Sequence, residues 1–270
     1  MDKVRFPGFY RLTIEERLNR VHEQGWIGKE DLKSLRDGRH ILPINHADKM
    51  IENVVGVMGL PMGLGLNFRV NQKDYLVPLV VEEPSIVAAL SSAAKTFLAS
   101  GGIHATAEES LLIGQIQVVN PPDVEQARSQ ILFHRDELLA KLNELHPNML
   151  ERGGGAKEIE VRIFEQTEVN PLMLIVHLLV DTCDAMGANI VNTMCEEIAS
   201  DIEALTGGRV FLRILSNLTD RSIVRASVAI SPEELEGKDY PGEEVRDGII
   251  LASQFAAVDP YRAATHNKGI

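Results

Sequence analysis

Basic side chains are in short supply in this sequence. Its 270 residues hold 27 Lys and Arg against 39 Asp and Glu, so the formal net charge at pH 7 is −12. Partners such as nucleic acid or an anionic membrane require a basic face on the protein. The charge balance therefore argues against both, and an anionic substrate would have to meet individually placed Arg and Lys side chains.

Cysteines and long apolar runs are also scarce. The two cysteines are Cys183 and Cys195, and nothing else in the sequence has the spacing of a metal-ligand cluster. We interpret both as reduced core thiols of a cytosolic protein that holds no metal. The N-terminus has no signal-peptide core, and the nine-residue, mainly apolar run Leu172–Val180 is too short to cross a membrane.

What the sequence does contain is typical of an ordinary soluble protein. Apolar residues make up 44% of it and charged residues 24%. A chain of this length can bury a substantial core, and at about 150 residues per domain it predicts two domains.

The stretch Asp184–Thr193 joins an apolar run to an amphipathic one. Leu172–Val180 has the length of a buried strand, and apolar residues recur at helical spacing through Ile190–Leu205. We predict a strand-to-helix turn in which Gly187 lets a ligand approach the N–H groups at the positive end of the helix. The turn is a candidate phosphate or carboxylate site, although Asp and Asn at a helix start are more often plain caps.

A second strand-to-helix junction lies earlier in the chain. Strand Tyr75–Val81 delivers Glu82 and Glu83 just before Pro84, which we place at the first position of a helix. Adjacent carboxylates at a strand end point to opposite faces, so at most one is buried. A carboxyl in an apolar wall can hold a proton to donate near neutral pH; the alternative, which spacing alone favours, is a solvated acidic strand end.

Glycines cluster ahead of that strand, from Gly56 to Gly65. Their spacing is not the dinucleotide fingerprint, because Phe68 stands where the third glycine after Gly63 and Gly65 is required. A Rossmann interpretation therefore fails here. We expect instead a backbone that is tightly turned or closely approached.

Residues 113–217 predict one βαββαβ unit, a ferredoxin-like arrangement with helices on one face of a four-stranded antiparallel sheet. The predicted elements are strand Ile116–Val119, helix Val124–Leu145, strands Ile159–Glu168 and Leu172–Val180, a helix from Ala188, and strand Val210–Ser216. Within this unit the loop Arg152–Lys157 suits a phosphate and a tight connection equally well.

The flanking segments are less regular. Residues 1–50 predict small helices, with a capping box at Thr13, and could pack on their own body or on a neighbouring subunit. Residues 218–230 predict a strand, and a helix follows from about Glu243. The last stretch, residues 257–270, reads as a loop cut off in mid-pattern, so we expect a fragment of a longer protein.

Four segments together carry a family resemblance: Glu52–Gly56, Val80–Ser85, Asp184–Asn189 and Asp259–Gly269. In order and spacing they resemble class II, bacterial and archaeal 3-hydroxy-3-methylglutaryl-coenzyme A reductases, from about Glu52 to Ile270. The resemblance implies an α+β protein with a large mixed α/β substrate domain and an inserted ferredoxin-like small domain. Residues 1–50 would be an N-terminal helical arm, 51–112 and 218–270 an incomplete acyl-CoA-binding domain, and 113–217 the nicotinamide-cofactor-binding domain.

The resemblance also implies site residues. Glu83 and Lys268 match the catalytic glutamate and lysine of the family. Substrate contacts would come from Ser85, Asn217, Arg262 and Asn267, and cofactor contacts from Asp184, Met186, Gly187, Asn189 and Asn192. The family's linking aspartate and late histidine would fall beyond Ile270, so we expect the 270-residue piece alone to be nearly inactive.

Several alternatives stay open. The cofactor is NADH or NADPH. The segment Glu144–Asn148 lies where NAD-selective relatives place an acid for the ribose 2′-hydroxyl, and His146 with the nearby Arg152 could tolerate a 2′-phosphate. The substrate is hydroxymethylglutaryl-coenzyme A or, in reverse, mevalonate with coenzyme A, and the family implies a homodimer or higher homo-oligomer. The rival function is a catalytically incompetent module that binds acyl-coenzyme A or a nucleotide.

Overall fold

The computed structural model describes residues 3–38, 42–165 and 172–266. The chain divides into two compact units. Unit 1 is the described part of Met1–Ala105 and Ala226–Ile270, and unit 2 is Thr106–Arg225. Unit 2 extends beyond the predicted bounds 113–217 at both ends. No helix in the described part of the chain is long and apolar enough to span a membrane.

The helices are α1 Ile14–Glu23, α2 Lys29–Asp37, α3 Ile44–Ala47, α4 Ile86–Ala99, α5 Val124–Phe133, α6 Arg135–Leu145, α7 Pro147–Glu151, α8 Ala188–Glu197, α9 Ala199–Thr206, α10 Pro232–Leu235, α11 Gly242–Val258 and α12 Pro260–His266, with a 3₁₀ turn at Phe9–Arg11. The strands are β1 Met62–Val70, β2 Lys73–Val80, β3 His104–Ala107, β4 Leu111–Val119, β5 Gly155–Phe164, β6 Met173–Asp181, β7 Arg209–Leu215 and β8 Val224–Ser227. Mixed helices and sheets make the fold α+β, as the sequence predicts.

Unit 2 is built on a four-stranded sheet in the order β5-β6-β4-β7. All three strand pairs are antiparallel. Alternate residues of β4 and β6, among them Ile116, Val118, Val176 and Leu178, join the buried side chains of α5, α6, α8 and α9 in one core. The order of elements along the chain is the one predicted for residues 113–217.

Two helices predicted as continuous are each broken. The predicted helix Val124–Leu145 is interrupted at His134, whose ring Nδ1 bonds to the Gln130 carbonyl oxygen at 2.9 Å, and that oxygen also accepts the His134 N–H. The helix from Ala188 is interrupted at Ile198 (φ −98°, ψ 0°). Apolar spacing continues across both breaks, which is why periodicity alone missed them.

In unit 1, helix α4 packs on the hairpin of β1 and β2. The close approach needs glycine: a Cβ at Gly63 would lie 3.3 Å from Val87, and one at Gly65 would lie 3.0 Å from Leu90. The expectation of a closely approached backbone is met here, and the approaching group is a helix of the same unit.

Two predictions for residues 218–270 are wrong. The stretch 257–270 is not a loop through its described part, since α12 covers Pro260–His266. Asp259 explains the helix start: its carboxylate accepts the N–H groups of Tyr261 at 3.1 Å and Arg262 at 3.3 Å. The predicted strand 218–230 is reduced to β8, Val224–Ser227.

The N-terminal arm packs on its own unit. The Val4 carbonyl oxygen accepts the N–H of Asn67 in β1 at 3.3 Å, and the Val4 and Phe6 side chains are buried. The predicted capping box at the start of α1 is present, with Thr13 and Glu16 bonding to each other's backbone.

Candidate functional site

Unit 1 contains a cleft of ≈ 970 Å³. Its walls come from the N-terminal arm, the start of β1, the β2–α4 junction and the first turns of α4. Two of the sequence-predicted site residues, Glu83 and Ser85, both line it. The lining is mainly apolar, with Phe6, Phe9, Met62, Leu64, Leu66 and Val87 among its residues.

Glu83 occupies the bend between β2 and α4. Both Glu82 and Glu83 are exposed and both line the cleft. The solvated strand end is therefore the correct interpretation of the pair, and neither carboxylate is buried in an apolar wall. A carboxyl at this position faces any ligand that enters the cleft.

Ser85 caps α4 in an unusual conformation. Its φ of 73° lies in the left-handed region, and its side chain makes no capping hydrogen bond. A non-glycine residue rarely adopts this conformation outside tight turns and functional sites. The prediction that Pro84 begins the helix is wrong: α4 begins at Ile86, because the left-handed residue between them ends the turn that Pro84 opens.

The cleft also has basic residues that sequence reasoning missed. Arg5, Arg17 and Lys95 line it. The guanidinium of Arg17 donates to the carbonyl oxygens of Phe9 at 3.1 Å and Tyr10 at 2.9 Å, and so holds the turn of the arm that forms one wall. Lys95 lies on α4, and its place three helical turns after the Ser85 cap is the signal that could have found it.

The turn before α8 gathers four of the predicted cofactor residues in unit 2. Asp184, Met186 and Asn189 are exposed, and Gly187 caps the helix with a φ of 85°. A Cβ at Gly187 would lie 2.6 Å from the Thr182 side chain, so only glycine fits. No side chain caps this helix, and its first N–H groups therefore suit a phosphate of a dinucleotide.

The residues just before this turn hold its shape. The Thr182 hydroxyl donates to the Ala185 carbonyl oxygen at 3.0 Å, and Asp181 accepts the N–H of Cys183 at 2.8 Å. Cys183 is exposed, so its prediction as a core thiol is wrong: its φ of 52° belongs to a surface turn. Cys195, on α8, is buried as predicted. Burial, with a smaller effect of the Glu196 charge, raises the pKa of its thiol to about 12.

Asn192 and Asn217 approach the same end of β7. The Oδ1 atom of Asn192 accepts the N–H of Leu215 at 2.8 Å. Asn217 follows two residues later and is exposed. The Asn192 side-chain oxygen is thus bonded to protein backbone, which the sequence did not predict.

A smaller cavity of ≈ 270 Å³ adjoins the first turn of α8 at Ile190. Its lining includes His146, Asn148 and Arg152. The nearby glycine loop is a tight connection: Lys157 Nζ donates to the Gly153 carbonyl oxygen at 2.7 Å, and a Cβ at Gly154 would lie 2.6 Å from the Asp181 carbonyl oxygen.

Arg262 lies half-buried on α12. Its Nε is buried and has no hydrogen-bond partner among the described residues. Arg262 is not part of the cleft lining that contains Glu83. Asn267 and Lys268 lie outside the described residues. Within the described ranges no group of three or more His, Cys, Asp or Glu side chains is arranged to hold a metal ion.

Comparisons with known proteins point to one family. The family model for hydroxymethylglutaryl-coenzyme A reductase matches residues 13–270. The 3-hydroxy-3-methylglutaryl-coenzyme A reductase of Archaeoglobus fulgidus is 48% identical over 267 residues, and the match covers 98% of this chain and 59% of that protein. A probable reductase of the same name from Borreliella burgdorferi is 32% identical over 225 residues, covering 82% of this chain and 49% of that protein.

Solved structures agree. The Streptococcus pneumoniae reductase matches with a TM-score of 0.93 at 38% identity, over 98% of this chain and 62% of that one. A structure of the class II enzyme from the same organism, bound to NADPH in open conformations, matches with a TM-score of 0.93 at 39% identity, over 98% of this chain and 71% of that one. The chain thus spans 59% of the archaeal relative's length.

Proposed function

This chain belongs to the hydroxymethylglutaryl-coenzyme A reductase family, and on that premise we propose that the protein reduces 3-hydroxy-3-methylglutaryl-coenzyme A to mevalonate and coenzyme A with NADH or NADPH. The same chemistry run backwards oxidises mevalonate. The observation that carries the proposal is the placement of Glu83 and Ser85 on one cleft in a chain matched to the family over residues 13–270.

The reaction needs a proton donor at a carbonyl oxygen. Reduction of a thioester passes through a hemithioacetal and an aldehyde to an alcohol, and each reduction places negative charge on that oxygen. Glu83, exposed at the cleft wall, is our proton donor. Lys268, which lies outside the described residues, is our oxyanion stabiliser; such a group contributes about 3 kcal/mol, or roughly a hundredfold in rate.

In this proposal, polar residues and one arginine bind the substrate. We assign Ser85, Asn217 and Asn267 to contacts with the hydroxymethylglutaryl group. Arg262 suits the free carboxylate of that group, because its Nε has no hydrogen-bond partner among the described residues. A bidentate pair of a guanidinium with a carboxylate fixes the orientation of a substrate.

The nicotinamide cofactor suits the turn before α8. The fit rests on the uncapped helix start, the glycine at which a side chain would collide, and the exposed side chains of Asp184, Met186 and Asn189. When bound, the cofactor supplies hydride to the carbonyl carbon. We accordingly propose unit 1 as the acyl-coenzyme A domain and unit 2 as a ferredoxin-like cofactor domain.

The test is a spectrophotometric assay on the protein expressed at its natural length. Adding hydroxymethylglutaryl-coenzyme A to protein and NADPH, or NADH, should cause substrate-dependent loss of absorbance at the wavelength of the reduced nicotinamide. Titrations that show binding of both ligands with no oxidation would favour the rival, a module that binds without reducing. The solution mass of the same sample tests the homodimer that we also propose.

A further inference from the structure

The last residues of β7 are fixed by hydrogen bonds on both sides of the strand. The Leu215 N–H donates to Asn192 Oδ1 at 2.8 Å, and the Ser216 N–H donates to the Ile113 carbonyl oxygen at 2.8 Å. Two residues further on, the Leu218 N–H donates to the Ser216 hydroxyl at 3.2 Å. Asn217 stands within this short, tied segment.

The bond from Asn192 satisfies a donor that the sheet leaves without a partner. Among the described strands β7 is an edge strand, and its partner there is β4. Successive N–H groups of a strand point in opposite directions, so the Ser216 N–H faces β4 and the Leu215 N–H faces away from the sheet. An edge N–H of this kind must find an acceptor or water, and here a side chain of α8 supplies the acceptor.

Close packing of α8 on β4 brings Asn192 to that position. A Cβ at Gly114 would lie 2.3 Å from Cys195 Sγ and 2.9 Å from Val191 Cγ1, so the helix rests directly on the glycine backbone. Gly114 is the register partner of Leu215. Asn192, next to Val191 on the helix, is therefore beside the end of β7.

We propose that Asn192 is a positioning residue, which ties the start of α8 to the segment that carries Asn217, and that it acts on the acyl-coenzyme A substrate rather than as a ligand of the cofactor. The inference rests on the proposed function. The geometry that supports it is the orientation of the side chain: Oδ1 accepts the Leu215 N–H at 2.8 Å, so the amide is turned toward the end of β7. The helix whose first turn suits the cofactor thereby fixes the backbone from which a substrate-contacting side chain projects.

The test compares Asn192→Ala with Asn192→Asp in the protein at its natural length. Alanine removes the acceptor and frees the end of β7, while a carboxylate oxygen of Asp keeps an acceptor for the Leu215 N–H. We expect Asn192→Ala to lower kcat/KM for hydroxymethylglutaryl-coenzyme A about tenfold or more, mainly through KM. The Kd for NADPH, measured by fluorescence titration, should change less than about twofold, and Asn192→Asp should restore most of the loss.

Glu203→Ala is the matched control. Glu203 Oε1, on α9, accepts the N–H of Val210 at the beginning of the same strand, also at 2.8 Å. Its removal takes away an equivalent bond far along β7 from Asn217. Thermal unfolding should therefore shift by a similar amount in both alanine variants, while only Asn192→Ala should raise KM for the acyl-coenzyme A.

Three results would overturn the inference. If Asn192→Ala weakens NADPH binding about tenfold and leaves KM for the acyl-coenzyme A unchanged, Asn192 is a cofactor ligand. If Glu203→Ala reproduces its kinetics, the bond serves stability alone. A wild-type protein that binds both ligands and transfers no hydride would instead defeat the proposed function, and the positioning role with it.

Discussion

His146 Nε2 lies 2.7 Å from Glu197 Oε2, and both side chains are largely shielded from solvent. The pair links the end of α6 to the end of α8. It anchors the imidazole at the wall of the small cavity that also contains Asn148 and Arg152. Glu197 therefore holds His146 in place, and Arg152 adds a guanidinium to the same wall.

The first prediction concerns the choice between NADPH and NADH. A 2′-phosphate in the small cavity would meet the Arg152 guanidinium, and a charge-assisted hydrogen bond of about 2 kcal/mol changes affinity more than tenfold. We expect Arg152→Ala to lower kcat/KM for NADPH about tenfold and to leave the NADH value nearly unchanged. The control is Arg135→Ala, which removes a surface arginine paired with Asp136 at 3.1 Å. Equal losses with NADPH and NADH in Arg152→Ala would show that Arg152 does not contact the 2′-phosphate.

The second prediction separates the two carboxylates of the cleft. Glu83→Gln should lower kcat by roughly a hundredfold or more, because an amide cannot donate the proton that the developing alkoxide needs. Glu82→Gln should have little effect, although Glu82 is also exposed and lines the same cleft. Steady-state kinetics give kcat for both variants. A larger loss of kcat in Glu82→Gln than in Glu83→Gln would show that Glu82 is the proton donor.

The third prediction uses the backbone of Ser85. A left-handed conformation costs a non-glycine residue about 1–2 kcal/mol. Glycine avoids this strain, but it loses more conformational entropy on folding, which offsets part of the gain. Ser85→Gly should therefore leave the free energy of unfolding unchanged or raise it by up to about 1 kcal/mol. Ser85→Val should lower it by about 2 kcal/mol or more, since a branched side chain fits this φ poorly.

The same glycine variant tests the binding role. If the hydroxyl of Ser85 contacts substrate, Ser85→Gly raises KM for the acyl-coenzyme A in a protein that is no less stable. Urea denaturation and steady-state kinetics on one preparation give both quantities. An unchanged KM would remove Ser85 from the set of substrate contacts.

The fourth prediction is a pH dependence of stability from His177. This residue is buried on the sheet face away from the helices, where Gln115 Nε2 lies 3.0 Å from its Nε2. Burial, with a smaller effect of the nearby Arg162 charge, lowers the pKa of His177 below its ordinary value of 6.5. An amide nitrogen that donates to the ring requires an unprotonated Nε2, which agrees with that direction.

The sign follows from which state binds the proton. Because the unfolded chain binds it more tightly, the contribution of His177 to stability is complete above about pH 6.5 and declines as the pH falls toward the lower folded-state pKa. The free energy of unfolding, measured in urea at pH 7.5 and 5.5, should therefore fall less in His177→Gln than in the wild type. An equal fall in both proteins would show that other groups carry the dependence.

The sequence predicted the order of the elements of unit 2 well, because a buried strand such as β6 leaves a nearly continuous apolar run with clear ends, whereas the polar residues in β4 led to a prediction of only its last four residues. Sequence-based prediction failed where local hydrogen bonds or backbone conformation decide where a helix begins or ends. His134 ends a helix within an unbroken apolar pattern, and Ser85 takes a left-handed conformation that no residue preference indicates. Asp259 begins a helix in a stretch whose polar composition resembles a loop.

The candidate site was predicted unevenly for a similar reason. Motifs such as Asp184–Asn189 are contiguous, so the chain itself keeps their residues together at one turn. The wall of the cleft is not contiguous: Arg17 and Lys95 reach it from separate helices, and only the packed structure of unit 1 brings them to the same surface. At Asn192 the sequence predicts a cofactor contact, and the structure adds a bond from the Leu215 N–H to its side-chain oxygen that no sequence pattern indicates.

Unit 2 interrupts unit 1 in the chain, and its two ends are joined to each other. The Glu108 N–H donates to the Ile223 carbonyl oxygen and the Leu111 N–H to that of Arg221, both at 3.0 Å. Once this contiguous unit has folded, its two ends lie close together. Unit 1 then no longer bears the entropic cost of closing a long flexible loop. The folded inserted unit thus keeps its first and last residues close together, so that in the growing chain the second piece of unit 1 begins near the end of the first piece.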